Sequence, residues 1–436
     1  MKHVRSALAG FFLVTLGLLG TQALVQGATQ GGTVQAPRFE VDPMWPKPLP
    51  NHWLLGSATG IAVDSRDHVY VIHLTESFTV RTETGAGPQN GNITPAGECC
   101  SSAPNVLEFD PAGNLVSSWG GPGQGYEWPA QNAGLAIDPA GNLWIGGMGG
   151  ADTRVLKFAK DGKFVAQYGK AFVVAPPAAA AADTQYAGQS PGRGQFAVGR
   201  GAGGGRGGRG GRGAAPTAPP ASTSGDAFGG ATAFAFDAGA GDVFVADGSR
   251  NRRVAVVDLN TGRIKRFFGA YGAAPDDATP SSYAPNDPPS KQFLGVRCVE
   301  TSSDGMLYVC DSRNNRIQVF QKDGKFVREA RIAPNTLANG AVWDVAFSRD
   351  PQQRYLYVAD GSNMKVHVLE RSTLNHLTSF GEGGRYPGQF LAVSGVATDS
   401  KGNLYTIEAD QGKRLQRFVF KGVGAVSREQ GVLWPK

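Results

Sequence analysis

Hydrophobic runs long enough to cross a membrane are missing from this 436-residue sequence. The longest apolar stretch, Ala7 to Gly20, is shorter than the roughly 20 residues that a membrane-spanning helix needs. It follows two basic residues and precedes small residues near Ala23 and Ala28, which is the pattern of a cleavable export signal. We therefore expect residues 1–28 to be a signal peptide, and the mature protein to be secreted or periplasmic without a membrane span. The alternative is that this segment is retained as an N-terminal anchor.

The sequence also lacks the short motifs that usually reveal a catalytic centre. It has no serine-centred nucleophile elbow, no phosphate-cradling glycine loop followed by a helix, and no paired metal-ligand motif. Long helical patterns are scarce as well, since 62 glycines and 27 prolines favour short strands joined by tight turns. No activity can therefore be assigned from a local motif alone.

Strong charge of one sign is absent from the part of the chain that can fold. The formal net charge is +6, but two of these charges lie at the N-terminus. Residues 171–228 hold five arginines against two aspartates. About +1 remains for the rest, so we expect no field that attracts nucleic acid or a membrane surface.

Residues 171–228 are of low complexity, with the runs AAAAA, APP and GRGAGGGRGGRGGRG. Such a composition cannot bury enough apolar surface to offset the entropy lost on ordering. We predict a disordered insertion. Arginine-glycine repeats can bind RNA, but an exported protein rarely meets RNA. In an alternative hypothesis, this segment binds anionic envelope polymers and the folded part is a passive scaffold.

Cysteine is scarce, with four residues in two local pairs. Cys298 and Cys310 lie symmetrically about Asp304 on one predicted hairpin, so their side chains can face each other. Export to an oxidising compartment would permit a disulfide there, whereas a shift of register would prevent it. Cys99 and Cys100 either form a strained bridge with each other or are two separate thiols.

A repeated hairpin pattern is the main positive signal. Each copy has a short apolar strand, a turn containing Asp, Ser, Gly or Asn, and a second strand with alternating aromatic or β-branched residues. The six copies are GIAVDSRDHVYVIH from Gly60, GLAIDPAGNLWIGG from Gly134, AFAFDAGAGDVFVAD from Ala233, VRCVETSSDGMLYVCD from Val296, DVAFSRDPQQRYLYVAD from Asp344 and GVATDSKGNLYTIE from Gly395. Two further strands follow each of the first five hairpins.

Such units predict a ring, because one four-stranded sheet cannot cover its own apolar faces whereas radial stacking covers them. We therefore predict an all-β fold, a six-bladed β-propeller of four-stranded antiparallel blades over residues 38–422, followed by a tail at 423–436. The low-complexity insertion would lie between blades two and three. The strand Arg38 to Pro43 is expected to complete blade six, the alternative being local completion by Gly424 to Trp434. A long insertion, Leu74 to Asn105, can roof over one mouth of the ring.

First strands start, and second strands end, on the same face of a propeller close to its axis. The candidate binding residues at this funnel are His73, Asp247, Arg297, Asp311, Trp343, Asp360 and Glu408. Several carboxylates near one axis are the oxygen ligands that calcium prefers. In the competing interpretation, each carboxylate accepts backbone N–H groups and stabilises a loop. A lone histidine makes neither a zinc site nor a triad, so His73 is interpreted as a hydrogen-bonded wall residue.

In its six repeated units and in the segment FEVDPMWPKPLPNHWLLG, the chain resembles NHL-repeat propellers of the peptidyl-α-hydroxyglycine α-amidating lyase family, particularly exported bacterial members. The resemblance covers Arg38 to Gly422 outside the low-complexity insertion. Further similar stretches are VLEFDPAGNLVSSWGGPGQGYEWP, YVCDSRNNRIQVF and YLYVADGSNMKV. The resemblance implies zinc held by histidines at the starts of three first strands, with a tyrosine and arginines after second strands.

The residues at those family positions differ in this chain. The implied metal positions are Ala133, Arg297 (Gly295 or Val296 under another alignment of the turn) and Ser394. The implied catalytic positions are Leu74, Ser249 and Ser312, so that His73 alone is retained. Zinc catalysis needs about three protein ligands, so zinc is not expected as a cofactor.

The leading hypothesis is a non-catalytic or repurposed monomeric member of this family. Its funnel would bind a small ligand, a peptide or a cell-envelope partner. The alternative hypothesis is an active enzyme on the same scaffold, either an amidating lyase or a calcium-dependent lactonase or hydrolase.

Overall fold

Six four-stranded antiparallel sheets and two small two-stranded sheets make up the fold of the described residues. The structure is a computed structural model that describes residues 32–78, 83, 88–89, 92–95, 99–149, 152–170, 225–276, 278 and 282–435. The segment expected to be a signal peptide and nearly all of the low-complexity insertion lie outside these residues. Helical structure in the described part is limited to short 3-10 turns such as Ala270–Gly272 and Ser312–Asn314, and none of it could span a bilayer.

The strands follow one another in blade order. They are β1 (Val34–Asp42), β2 (Trp53–Leu54), β3 (Ser57–Val63), β4 (Val69–Leu74), β5 (Pro88–Gln89), β6 (Asn92–Pro95), β7 (Ser101–Ser102), β8 (Val106–Phe109), β9 (Leu115–Trp119), β10 (Asn132–Ile137), β11 (Leu143–Gly147), β12 (Val155–Phe158), β13 (Phe164–Tyr168), β14 (Ala231–Asp237), β15 (Asp242–Asp247), β16 (Arg253–Asp258), β17 (Ile264–Phe268), β18 (Val296–Thr301), β19 (Met306–Asp311), β20 (Arg316–Gln321), β21 (Phe326–Arg331), β22 (Asp344–Phe347), β23 (Tyr355–Asp360), β24 (Lys365–Glu370), β25 (His376–Phe380), β26 (Val393–Thr398), β27 (Leu404–Glu408) and β28 (Leu415–Val426).

The blades are formed from consecutive strands, except at the first and the last. Blade one contains β3, β4, β8 and β9, and blades two to five contain β10–β13, β14–β17, β18–β21 and β22–β25. Blade six contains β26, β27, β28 and the N-terminal strand β1. The predicted six-bladed propeller of four-stranded antiparallel blades is therefore confirmed.

An aspartate sets the turn between the first and second strands of several blades. In blade one, Asp64 Oδ1 accepts the backbone N–H groups of Arg66 (2.8 Å) and His68 (3.0 Å). Asp138 and Asp399 accept the equivalent N–H groups in blades two and six. A short carboxylate bound to its own backbone stabilises a tight turn, so this local chemistry produces the hairpin each time it recurs.

The apolar core lies between the blades. Second strands such as β15 and β23 are buried along their whole length, whereas outer strands such as β13 and β21 are partly exposed. At the closing seam, the Phe39 ring of β1 lies 5.6 Å from the Tyr357 ring of β23, measured between centroids. This contact is edge-on and joins blade six to blade five. The ring is therefore held by side chains that single blades could not bury.

Pairing between β1 and β28 closes the ring between the two ends of the chain. Phe39 pairs with Phe420 and Asp42 pairs with Arg417, as the proposed closing strand requires. Both strands are longer than expected, because Val34 also pairs with Val426. The last residues then run along β25, where the Gln430 N–H donates to the Ser379 carbonyl (2.9 Å). The first residues of the tail expected at 423–436 therefore belong to β28 of blade six, and later ones add to the edge of blade five.

Both cysteine pairs are bonded in the structure. Cys298 and Cys310 are direct register partners on β18 and β19, and their sulfur atoms form a disulfide. Cys99 and Cys100 are bonded to each other. The hairpin therefore has the register in which the side chains of Cys298 and Cys310 face each other.

Candidate functional site

The aspartates that end the second strands of blades three and four hold the backbone together. Asp247 accepts the Gly229 N–H (2.6 Å) and the Arg253 Nε–H (2.8 Å). Asp311 forms the same bond with Arg316 Nε at 2.8 Å. Both ion pairs are almost completely inaccessible to solvent. Each carboxylate therefore links the loop that leads into a first strand to the residue that begins a third strand.

Blades five and six use variants of this arrangement. Asp360 accepts the Nε2–H of His367 at 2.9 Å, whereas the corresponding aspartates of blades three and four accept from an arginine. Glu408 accepts the Leu391 N–H (2.7 Å) and pairs with Arg414. These carboxylates bond to the same kinds of groups as the aspartates of blades three and four.

His73 occupies the corresponding place in blade one. Its Nδ1 accepts the Gly56 N–H at 3.1 Å, and its Nε2 donates to the Pro104 carbonyl at 2.9 Å. Burial lowers the pKa of this imidazole to about 4, so the ring is neutral near pH 7. His73 is therefore a hydrogen-bonded residue of the blade wall.

These observations correct the expected funnel set. His73, Asp247, Asp311, Asp360 and Glu408 have no accessible surface, and none of them lines the axial cavity. The four carboxylates accept from nearby backbone and side-chain donors, which is the interpretation that competed with calcium binding. Within the described ranges, no group of three or more His, Cys, Asp or Glu side chains is arranged to hold a metal ion.

A cavity of about 490 Å³ lies on the axis and is lined by the first strands of all six blades. Ala133, Arg297 and Ser394 all line it, as does Trp343. The three implied metal positions are therefore brought to one place, occupied by an alanine, an arginine and a serine.

The positions that the resemblance implied to be catalytic are not brought together. Leu74 lines the cavity, whereas Ser249 and Ser312 do not. The Ser312 Oγ–H donates to the Gly295 carbonyl (3.1 Å) in a buried setting. Ser249 lies against Gly230, where a Cβ atom would come within 2.4 Å of its hydroxyl oxygen.

The two sides of the cavity differ in chemistry. Among the described residues, every charged residue that lines it comes from blades four to six, namely Arg297, Glu300, Asp344, Arg349 and Asp410. The described residues of blades one to three contribute no titratable side chain to the lining and supply apolar groups such as Ile61, Leu135 and Phe234. The cavity therefore has one charged wall and one largely apolar wall.

Glu300 breaks a ring of alanines. The residue two positions before the first turn is Ala62, Ala136, Ala235, Glu300, Ala346 and Ala397 in blades one to six. In every blade this residue pairs across the hairpin with an aromatic residue, which is Tyr308 in blade four. Glu300 was missed as a candidate in the sequence, although aligning the six repeats exposes it as the charged member of this set.

Arg297 and Trp343 contact each other within the charged wall. The guanidinium carbon of Arg297 lies 3.9 Å from the centroid of the Trp343 ring, within the range of a cation–π interaction. The neighbouring Asp344 accepts the Val396 N–H at 2.9 Å, which links blade five to blade six. Two residues of the sequence-predicted set, Arg297 and Trp343, thus belong to the cavity.

The carboxyls of the charged wall bind protons unusually tightly. Burial raises the pKa of Glu300 to about 8, and repulsion from Asp344 acts in the same direction against the attraction of Arg349. Burial also raises the pKa of Asp344 to about 7, although backbone N–H groups and the charge of Arg297 favour its ionised form. At neutral pH the wall therefore holds carboxyl protons that free carboxylic acids would have lost.

The sequence matches no protein-family model and no curated protein. Among solved structures, it is similar to a structural genomics protein of unknown function from Bacteroides thetaiotaomicron, with 12% identity, a TM-score of 0.47 and coverage of 89% of this chain and 77% of that chain. A catalytically inactive virginiamycin B lyase from Staphylococcus aureus, with quinupristin, shows 11% identity, a TM-score of 0.43 and coverage of 88% and 99%. A streptogramin B lyase structure shows 10% identity, a TM-score of 0.43 and coverage of 89% and 98%.

Proposed function

We propose that this protein is an exported propeller that binds a small amphipathic molecule in its axial cavity, as a non-catalytic relative of the amidating lyases. The observation that carries the proposal is the cavity of about 490 Å³ with a charged wall facing an apolar wall. Small-molecule sites are typically concave, of roughly 300–1,000 Å³, and mostly apolar with a few convergent polar groups. This cavity has both the size and the distribution of polar groups of such a site.

The residue types at the implied metal positions support a role without zinc chemistry. Ala133, Arg297 and Ser394 line one cavity, yet none of them offers an imidazole, a thiolate or a carboxylate. Zinc is normally bound by three or four such groups. An incubation with a peptidyl-α-hydroxyglycine substrate and added zinc tests this part directly, and zinc-dependent release of glyoxylate would overturn it.

Export is supported by the cysteines and by the N-terminal sequence. Cys298 and Cys310 form a disulfide within blade four, and Cys99 and Cys100 form another. Structural disulfides persist mainly in oxidising compartments. Fractionation of cells that produce the full chain tests the proposal, since recovery of the protein in the cytoplasm with intact residues 1–28 would contradict it.

Ligand binding is tested by blocking the cavity from its apolar side. Ala136 lines the cavity, so Ala136→Phe places an aromatic ring inside it. Ligand-observed NMR with a set of amphipathic fragments should detect binding to the wild-type chain and not to this variant. Val165→Phe is the matched control, because Val165 is 50% exposed on an outer strand and should leave binding unchanged. Fragments that bind Ala136→Phe as well as they bind wild type, or an absence of binding to wild type, would contradict the proposal.

A further inference from the structure

The charged wall is short of one positive charge. Among the described lining residues, two arginines, Arg297 and Arg349, lie with three carboxyls, those of Glu300, Asp344 and Asp410. Lys413, beside Asp410, adds no net charge because it is paired with Glu83. Full ionisation would leave one net negative charge beside an apolar wall, where no bulk water can screen it well. The structure must therefore retain a proton there or take up a cation.

Two of the three carboxyls are compensated by neighbouring groups. Asp344 accepts the Val396 N–H and feels the charge of Arg297. Asp410 feels both Arg297 and Lys413, although burial still raises its pKa. Arg297 therefore already stabilises the ionised forms of these two acids, and its guanidinium also stacks on the Trp343 ring.

Glu300 is the least compensated of the three. Arg349 is the cation whose charge acts on it, and the Arg349 guanidinium donates to the Thr398 carbonyl at 2.7 Å while its side chain is largely exposed. Asp344 adds repulsion to the effect of burial. A proton on Glu300 or Asp344 now supplies the missing positive charge.

We infer that the cavity takes one organic ammonium ion with an apolar body, its positive group against Glu300 and Asp344 and its body against blades one to three. This inference rests on the proposed binding function and names the class of ligand. On binding, the ammonium ion enters and one carboxyl proton leaves to solvent, so the charge in the cavity stays balanced. An anion would add to the unpaired negative charge, and a divalent metal would find two carboxyls and an apolar wall in place of the six to eight oxygens that calcium prefers.

The titrations give the inference a measurable signature. A carboxyl with a raised pKa resists ionisation, so the ammonium ion must displace its proton at low pH and binds more easily as pH rises toward 8. The groups that face these carboxyls are Arg297, Arg349 and Asp410, with Lys413 beside the last. Because a guanidinium group stays charged in proteins, the pH dependence in this range belongs to the carboxyls.

Isothermal titration with benzyltrimethylammonium tests the inference, since the charge of this probe does not change with pH. We expect the affinity at pH 8 to exceed that at pH 6 by about tenfold or more, with release of up to one proton at pH 6. Glu300→Gln should weaken binding at pH 8 and reduce this pH dependence, whereas Glu127→Gln, at a side chain 67% exposed on blade two, should change neither. If the Glu300 variant does not fold, Asp344→Asn serves the same purpose.

Benzoate and benzyl alcohol separate the ligand class from binding itself. Preference for benzoate, or ammonium binding that Glu300→Gln leaves unchanged, would overturn the inference. If benzyl alcohol binds wild type as tightly as the ammonium probe but does not bind Ala136→Phe, the cavity binds ligands and the ammonium class is wrong. If none of the three probes binds, the ammonium inference also fails, and the fragment screen alone decides the proposed function.

Discussion

Glu300 on β18 and Asp344 on β22 come from neighbouring blades and repel each other across one wall of the axial cavity. Such a pair opposes complete ionisation, because two negative charges in a poorly solvated site cannot both be stabilised by the arginines around them. We therefore expect the stability of the propeller to depend on pH through these two carboxyls at its axis, whereas exposed surface charges usually have little effect on stability.

Glu300→Gln should make the fold less sensitive to alkaline pH. The folded pKa of Glu300 is about 8 against an ordinary value of 4.5, so the folded chain binds the proton more tightly than the unfolded chain. The stability contributed by the protonated acid is complete below about pH 4.5 and is lost as pH rises toward 8. We expect the variant to gain about 1–2 kcal/mol over wild type between pH 4.5 and 8, measured by urea unfolding; this is less than the full shift implies, because Glu300 is only partly buried and solvent screens its charge. A constant difference across this range would contradict the raised pKa.

Asp311→Asn should strongly destabilise the propeller. It removes the charge of one of the two carboxylates that pair with the Arg316 guanidinium, which is 1% exposed and would keep only Glu329, at 3.3 Å. Breaking a buried ion pair in this way costs about 3–5 kcal/mol. The surface pair of Lys163 and Asp161 provides the control, since Asp161→Asn should leave the free energy of unfolding nearly unchanged. Equal effects of the two substitutions would show that the buried pair is not structural.

Deletion of residues 427–436 should loosen the closing seam. The Gln430 N–H donates to the Ser379 carbonyl, and the Val41 N–H of β1 donates to the Leu433 carbonyl (2.7 Å). Removing this segment exposes the edge of β25 and takes one contact from the closing strand, so we expect thermal unfolding several degrees lower. Deletion of residues 435–436 alone is the control. An unchanged melting temperature for the longer deletion would mean that the β1 and β28 pairing closes the ring unaided.

The triple variant Ala133→His, Arg297→His and Ser394→His should bind zinc. These positions lie in alternate blades, two, four and six, and all three line one cavity. Three imidazoles around an axis form the ligand set of an open zinc site. We expect close to one zinc ion per chain by elemental analysis after dialysis, and much less for the variant with only Ala133→His and Ser394→His. Failure of the triple variant to retain zinc would show that the three positions do not converge as the sequence alignment implies.

The propeller could be predicted from the sequence because its instructions are local. Each hairpin depends on a turn aspartate such as Asp64 or Asp399 and on alternating residues a few positions away, which a linear pattern displays. Six copies of a unit that cannot cover its own faces leave a ring as the compact solution. The closing strand was also predictable, because the sixth repeat has only three strands of its own and β1 can supply the fourth.

The directions of the polar side chains depended on contacts that the repeat pattern does not display. The sequence placed Asp247 and Asp311 at the ends of second strands, but it did not show that their oxygens would accept the Gly229 N–H and the Arg316 Nε–H. Repeat alignment could have singled out Glu300, yet its raised pKa arises from burial and, to a smaller extent, from Asp344, both of which exist only when blades four and five pack together. Hairpin, blade and ring thus follow from local pattern, whereas the direction and charge of each side chain at the axis were decided by the tertiary packing around it.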